Sequence, residues 1–209
     1  MKLNHPLIKV CGMRERQNIL DVANLHPDMM GFIFYPMSKR NVGEDFIIPE
    51  ISADVQKTGV FVDEKPEEVL RILKKHKLQI AQLHGKETPE ICFKIRSSGF
   101  RVLKAFGVDE HFNFDILAPY LSVSDGFVFD AKTVLHGGSG LKFNWEILNS
   151  YTLRHPFLLS GGIKPEDMEV LQEFYHPQCI GFDINSGFET SAAFKDVDKL
   201  TRFFKQVRQ

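Results

Sequence analysis

The sequence predicts an α/β fold, a single compact (β/α)8 TIM barrel occupying residues 1–209. Three observations predict it. Short apolar runs rich in Val, Ile and Phe alternate with amphipathic stretches that begin at turn or capping residues, the pattern of repeated βα units. Eight such runs can be counted, with connections long enough for right-handed crossovers, which favours a closed barrel over an open sheet of five or six strands. The 209 residues lie near the lower limit for eight units, and no linker, low-complexity tract or strong repeat marks a second domain.

Taken in order, Leu7 to Val10 reads as the first strand and Arg14 to Leu25 as a helix with Ile19, Leu20 and Ala23 at helical spacing. Met29 to Phe34 is the second strand. After a polar loop and a weakly structured stretch from Phe46 to Ala53, Thr58 to Val62 is the third. Lys65 opens an amphipathic run to His76 in which Pro66 suits the first helical turn and Glu67 and Glu68 suit its dipole. Gln79 to Leu83 is the fourth strand, followed by a helix for which Thr88 offers a capping hydroxyl and Pro89 a first residue. Arg101 to Phe106 is the fifth strand, His111 to Leu117 a short helix, and Phe127 to Asp130 the sixth strand. Pro156 to Leu159 and Cys179 to Ile184 are the seventh and eighth. Helices start near Asn144 and Pro165, and a last one runs from Val197 to Val207.

Composition narrows the function. Lys and Arg number 26 against 27 Asp and Glu, a net charge of −1, so nothing attracts nucleic acid or an anionic membrane surface. There is no apolar run of about 18 residues and no apolar stretch at the amino terminus, which points to a cytoplasmic protein. The three cysteines, Cys11, Cys92 and Cys179, are odd in number and far apart, forming neither a disulfide framework nor a CxxC pair. The eight histidines are scattered without metal-ligand spacing, and no metal is predicted.

In a barrel of this kind the working residues lie at the carboxyl ends of the strands. Strand one ends in Cys11-Gly12. Read alone, Cys11 is more readily a buried packing thiol than an activated thiolate. Asp130, capping the apolar sixth strand, is harder to explain by packing and can serve as a proton donor. Arg40, beside Lys39, reads first as a solvated charge and second as a carboxylate clamp; His84 is a packing residue or a proton shuttle. Ser160-Gly161-Gly162 and Asn185-Ser186-Gly187 follow strands seven and eight. Two glycine-rich strand-to-helix turns side by side suit a phosphate.

With these residues assembled, the sequence resembles the phosphoribosylanthranilate isomerase family along nearly its whole length. The resemblance is carried by Lys9-Val10-Cys11-Gly12-Met13, Gly31 to Pro36 with Ser38 to Val42, and Gly59-Val60-Phe61-Val62. It continues through Gln82-Leu83-His84-Gly85, Lys104-Ala105-Phe106, Asp130-Ala131-Lys132, Gly137 to Gly140 with Phe143-Asn144-Trp145, Ser160-Gly161-Gly162 and Asp183 to Glu189.

The resemblance implies a cofactor-free Amadori rearrangement of the aminoaldose N-(5-phosphoribosyl)anthranilate. Cys11 would be the base at C2, Asp130 the acid at the ring oxygen, and Arg40 the holder of the anthranilate carboxylate. Gly138, Gly161, Gly162, Ser186 and Gly187 would bind phosphate, and His84 and Asp183 would complete the substrate contacts. The implied partner is a phosphorylated small molecule, with the chain a monomer or homodimer. Lys39 stands where the family has proline, Asn144 where it has aspartate, and Ala192-Ala193 where it commonly has Pro-Gly. A related phosphate-binding barrel, indole-glycerol-phosphate synthase, would need a lysine acid paired with a glutamate at strand ends. A non-catalytic metabolite sensor would lack the acid or the base.

Overall fold

A computed structural model of the chain describes residues 5–131 and 144–208. Eight parallel strands close into a barrel in sequence order, β1 Leu7–Val10, β2 Met29–Ile33, β3 Gln56–Phe61, β4 Ile80–Leu83, β5 Arg101–Val108, β6 Gly126–Ala131, β7 Phe157–Leu159 and β8 Cys179–Ile184. The seam is closed by β1 against β8, with Lys9 opposite Asp183 and Val10 opposite Ile184. The register slips by one residue between Phe157 and Leu158 where β7 meets β8.

Alternation along the strands separates two apolar regions. Met29, Ile80, Leu103, Ala105, Val128 and Leu158 pack together inside the amino-terminal half of the barrel, with Leu7 and Ile180 against them. The outward residues, among them Val10, Phe32, Phe61, Leu83, Phe127, Phe129 and Ile184, join the helices in a second, larger core. The barrel floor is thus filled largely by apolar side chains.

The helices α1 Arg16–Ala23, α2 Pro66–Lys75, α3 Pro89–Ser97, α4 Met168–Glu173 and α5 Val197–Val207 cover the outside. In α1 the buried face is Asn18, Ile19, Val22 and Ala23 rather than one containing Leu20, because Asn18 turns inward to bond the Lys195 backbone in both directions. Pro66, Glu67 and Glu68 occupy the first turn of α2 as the sequence predicts. Thr88 does not cap α3 with its side chain; its hydroxyl serves the Glu90 carboxylate instead.

Three predicted helices differ in kind. The one placed at 111–117 is a 3-10 turn at Phe114–Tyr120 with Asn113 as its cap and Pro119 inside. That expected near Asn144 is a 3-10 segment, Trp145–Ser150, capped by the Asn144 side chain on the Glu146 N–H at 3.0 Å. The one at Pro165 begins as 3-10 before becoming α4. The first two segments are short, and Pro119 removes a backbone donor from the first, so neither of them sustains an α-helical ladder. The stretch 46–53 holds no regular element, although Phe46, Ile48 and Ile51 pack on the core. After β8, a 3-10 turn at Ser186–Phe188 leads into a small hairpin, β9 Glu189–Ser191 and β10 Phe194–Lys195. Its turn residue Ala193 has φ 69°, the left-handed conformation for which the family's glycine is suited.

Candidate active site

One cavity at the carboxyl end of the barrel gathers most of the residues singled out from sequence: Cys11, Arg40, His84, Asp130, Gly161, Gly162, Asp183 and Ser186 all line it. The strand ends deliver them. Cys11 directly follows β1 and is tied there by its N–H donating to the Ile184 carbonyl at 2.9 Å. The residue is 5% exposed. Burial pushes the thiol above its ordinary range, opposed chiefly by the neighbouring Lys9 cation.

Asp130 projects from β6. Its Oδ1 accepts the Ala131 N–H at 2.8 Å, and its Oδ2 lies 3.2 Å from His84 Nε2. His84 Nδ1 in turn lies 2.9 Å from Gln82 Nε2. With the buried amide donating, the neutral imidazole carries its proton on Nε2, aimed at Asp130. Gly161, at φ 86°, permits the next strand to pass close by: a Cβ there would stand 2.5 Å from the Ala131 nitrogen and 3.1 Å from Asp130 Oδ1.

The second polar group is built around Arg40. Its Nε and Nη2 donate to the two oxygens of Glu189 at 2.8 and 2.6 Å. Glu189 also receives Lys195 Nζ at 2.6 Å, and the same ammonium reaches Asn185 Oδ1 at 2.7 Å. Burial would raise the Glu189 pKa, yet Arg40 and Lys195 outweigh it and hold the carboxyl below its ordinary value. Burial pushes Lys195 down to about 8. The loop carrying Arg40 is anchored despite Lys39 in the place of proline: Arg14 donates to the Lys39 carbonyl at 3.0 Å, and the Arg40 N–H donates to Ser38 Oγ at 3.1 Å.

The glycine turns divide into two roles. Gly161 and Gly162, both with positive φ, line the cavity with Ser160 and Ile163, next to Asn185 and Ser186. Gly187 does not line it. A Cβ at Gly187 would meet the Ile163 carbonyl oxygen at 2.2 Å, so its service is to let the turn after β8 lie against the turn after β7. Gly138 lies outside the described residues.

Sequence reasoning did not single out five groups that complete the site: Lys9, Gln82, Asn185, Glu189 and Lys195. Lys9 carried a signal, a cation inside an apolar four-residue strand, and Glu189 falls in a segment matched to the family. Lys195 carried none, because only the β9–β10 hairpin brings it back to the barrel mouth. Lys104, by contrast, turns away from the cavity. It is 2% exposed, donates to the carbonyls of Leu83, Gly85 and Ala105, and pairs with Glu87 at 3.2 Å. This buried lysine and glutamate staple β4 to β5 and are not a lysine acid with its glutamate in the cavity.

Comparison with known proteins agrees with this arrangement. A model of the family described as N-(5'-phosphoribosyl)anthranilate (PRA) isomerase matches residues 8–206. The N-(5'-phosphoribosyl)anthranilate isomerase of Parabacteroides distasonis is 42% identical over 205 residues, covering 96% of this chain and 93% of the relative. A crystal structure of phosphoribosyl anthranilate isomerase in complex with reduced 1-(o-carboxyphenylamino)-1-deoxyribulose 5-phosphate superposes with a TM-score of 0.81 at 28% identity, over 98% of this chain and 99% of the other. Monomers generated from the dimeric enzyme of Thermotoga maritima give 0.78 at 29% identity, over the same shares of the two chains.

Proposed function

The chain belongs to the N-(5'-phosphoribosyl)anthranilate isomerase family, and from that premise we infer which of its residues perform the chemistry. The reaction is the Amadori rearrangement of N-(5'-phosphoribosyl)anthranilate to 1-(2-carboxyphenylamino)-1-deoxyribulose 5-phosphate, in tryptophan biosynthesis. The substrate is a phosphorylated small molecule, and no helix of the described residues is long and apolar enough to cross a membrane. We place the enzyme in the cytoplasm, working as a monomer or a homodimer; sedimentation of the purified protein separates these two states.

Opening the furanose requires a proton on the ring oxygen as its bond to C1 breaks, while the anilino nitrogen supplies the electron pair that forms C1=N. Asp130 gives that proton. Cys11 then removes the proton from C2, the electron pair moves to C1–C2, and protonation at C1 with loss of the hydroxyl proton at C2 yields the aminoketone. The observation carrying this reading is that Cys11 and Asp130 face one cavity from β1 and β6, with the turns after β7 and β8 between them. The substrate phosphate sits on those turns, held by backbone amides at Gly161, Gly162 and Ser186. His84, kept in one tautomer by Gln82, orients the Asp130 carboxyl. Arg40 meets the anthranilate carboxylate with Nη1, since Glu189 takes its other edge.

A thiol held above its ordinary range is a stronger base once ionised but is ionised less often. Proton transfer to or from a positioned side chain contributes about 10²–10⁴-fold in rate. Cys11→Ala and Asp130→Ala are therefore each expected to lower kcat by at least about 10²-fold with the far-UV circular dichroism unchanged. The loss of substrate fluorescence during turnover reads the rate. Turnover near the wild-type rate in either variant removes that residue from its role.

A further inference from the structure

Lys9 is fully buried inside the barrel, where a cation is costly and an apolar side chain would fill the space without that cost. It lies one layer below the cavity. Asp183 fixes its ammonium from β8, with Nζ 2.9 and 3.0 Å from the two carboxylate oxygens. The same ammonium interacts with the Cys11 side chain. On the β2 side of this pair stands Gly31, and a Cβ there would lie 2.7 Å from Cys11 Sγ and 3.2 Å from Lys9 Nζ. The absence of a side chain at position 31 is what lets sulfur and ammonium occupy adjacent space.

We propose that Lys9 is a positioning residue for the isomerisation: its ammonium, fixed by Asp183, holds the Cys11 sulfur in place and favours its ionised form against burial, in a slot that glycine at position 31 leaves open. The proposal rests on the reading of Cys11 as the base. The charges around the sulfur favour it. Cys11 is faced by Lys9 on its own strand, Asp183 on β8, Arg40 from the loop after β2 and Lys195 on β10. Glu189 neutralises part of the Arg40 and Lys195 charge. Three cations against two carboxylates leave one positive charge, which a thiolate balances. Asp130 and His84 face the cavity from β6 and β4 and pair with one another. Burial alone would drive the Lys9 ammonium down, but Asp183 and Cys11 outweigh it and hold it above its ordinary value.

The test follows alkylation of Cys11 by iodoacetamide against pH, read by peptide mass so that Cys92 and Cys179 do not interfere. Lys9→Met is expected to raise the midpoint by about one unit or more, leaving about tenfold less thiolate at a fixed pH below it. Its kcat falls by a similar factor near neutrality with KM little changed, and recovers as the pH is raised. Lys9→Gln, which still offers a hydrogen bond to Asp183 but carries no charge, is expected to raise the midpoint similarly, whereas a merely structural role would leave the midpoint of a variant that keeps this hydrogen bond unmoved. An unchanged or lowered midpoint in Lys9→Met overturns the proposal. Should Lys9→Met fail to fold, Lys9→Gln decides: a raised midpoint supports the proposal, and an unchanged or lowered one overturns it. Turnover retained in Cys11→Ala removes the base assignment and with it any catalytic part for Lys9, while the alkylation midpoints decide the coupling separately.

Discussion

Arg40 is held in one orientation by its neighbours. A guanidinium with no partner would lose orientation and much of its binding geometry; here Glu189 grips one edge bidentately while Lys195 holds Glu189. A carboxylate clamp acts alike on substrate and transition state, so its loss is felt mainly in KM. Arg40→Ala is expected to raise KM by roughly 10- to 100-fold, the range for one lost charge-assisted hydrogen bond, with kcat changed much less. Steady-state kinetics check this, and unchanged KM and kcat reject the clamp.

At the scale of elements, the turns after β7 and β8 are a packed pair rather than two independent loops. Gly187 stands against the Ile163 carbonyl with no space for a methyl. Gly187→Ala must push the two turns apart, and strain of this kind costs about 1–3 kcal/mol. The midpoint of urea denaturation is expected to fall accordingly. Because Gly161, Gly162 and Ser186 are displaced with the turn, KM is expected to rise in the same variant. A variant with wild-type stability and a raised KM would instead mean that Gly187 touches the phosphate directly. The β9–β10 hairpin has a parallel function, since it exists to return Lys195 to Glu189 and Asn185, and Asn18 on α1 clamps its backbone.

For the whole molecule, the two remaining cysteines set an alkaline limit. Cys92 lies on the buried face of α3 and Cys179 begins β8; both thiols are buried, and burial pushes each up to about 12. In the unfolded chain they ionise near 8.5. Between these values the folded state binds more protons than the unfolded one, so stability is full below the unfolded pKa and falls as pH rises towards 12. Urea denaturation at pH 7 and pH 10.5 is expected to show this loss in the wild type. The Cys92→Ala, Cys179→Ala double variant, although less stable at pH 7, is expected to show a shallower decline. Equal slopes in the two proteins would assign the alkaline loss to other groups.

The sequence by itself determined the architecture, because periodicity and strand count are local signals that the barrel must obey. It also placed Cys11 and Asp130 at strand ends and Arg40 in the loop after β2, and the fold brings all three to one cavity; position alone left their roles open, and the resemblance supplied them. Helix type at 114–120 and 145–150 escaped it, since short segments take their geometry from what they pack against rather than from propensity. Only the tertiary structure decided the environment of Cys11. Lys9 looked like an isolated charge in an apolar strand until β8 brought Asp183 opposite it and β2 brought Gly31 beside it, contacts separated by 174 residues in one case. Glu189 and Lys195 likewise gained meaning only when a hairpin folded them onto Arg40. Ionisation depends on burial and on the charges within a few ångströms, and neither is defined until the chain has closed the barrel.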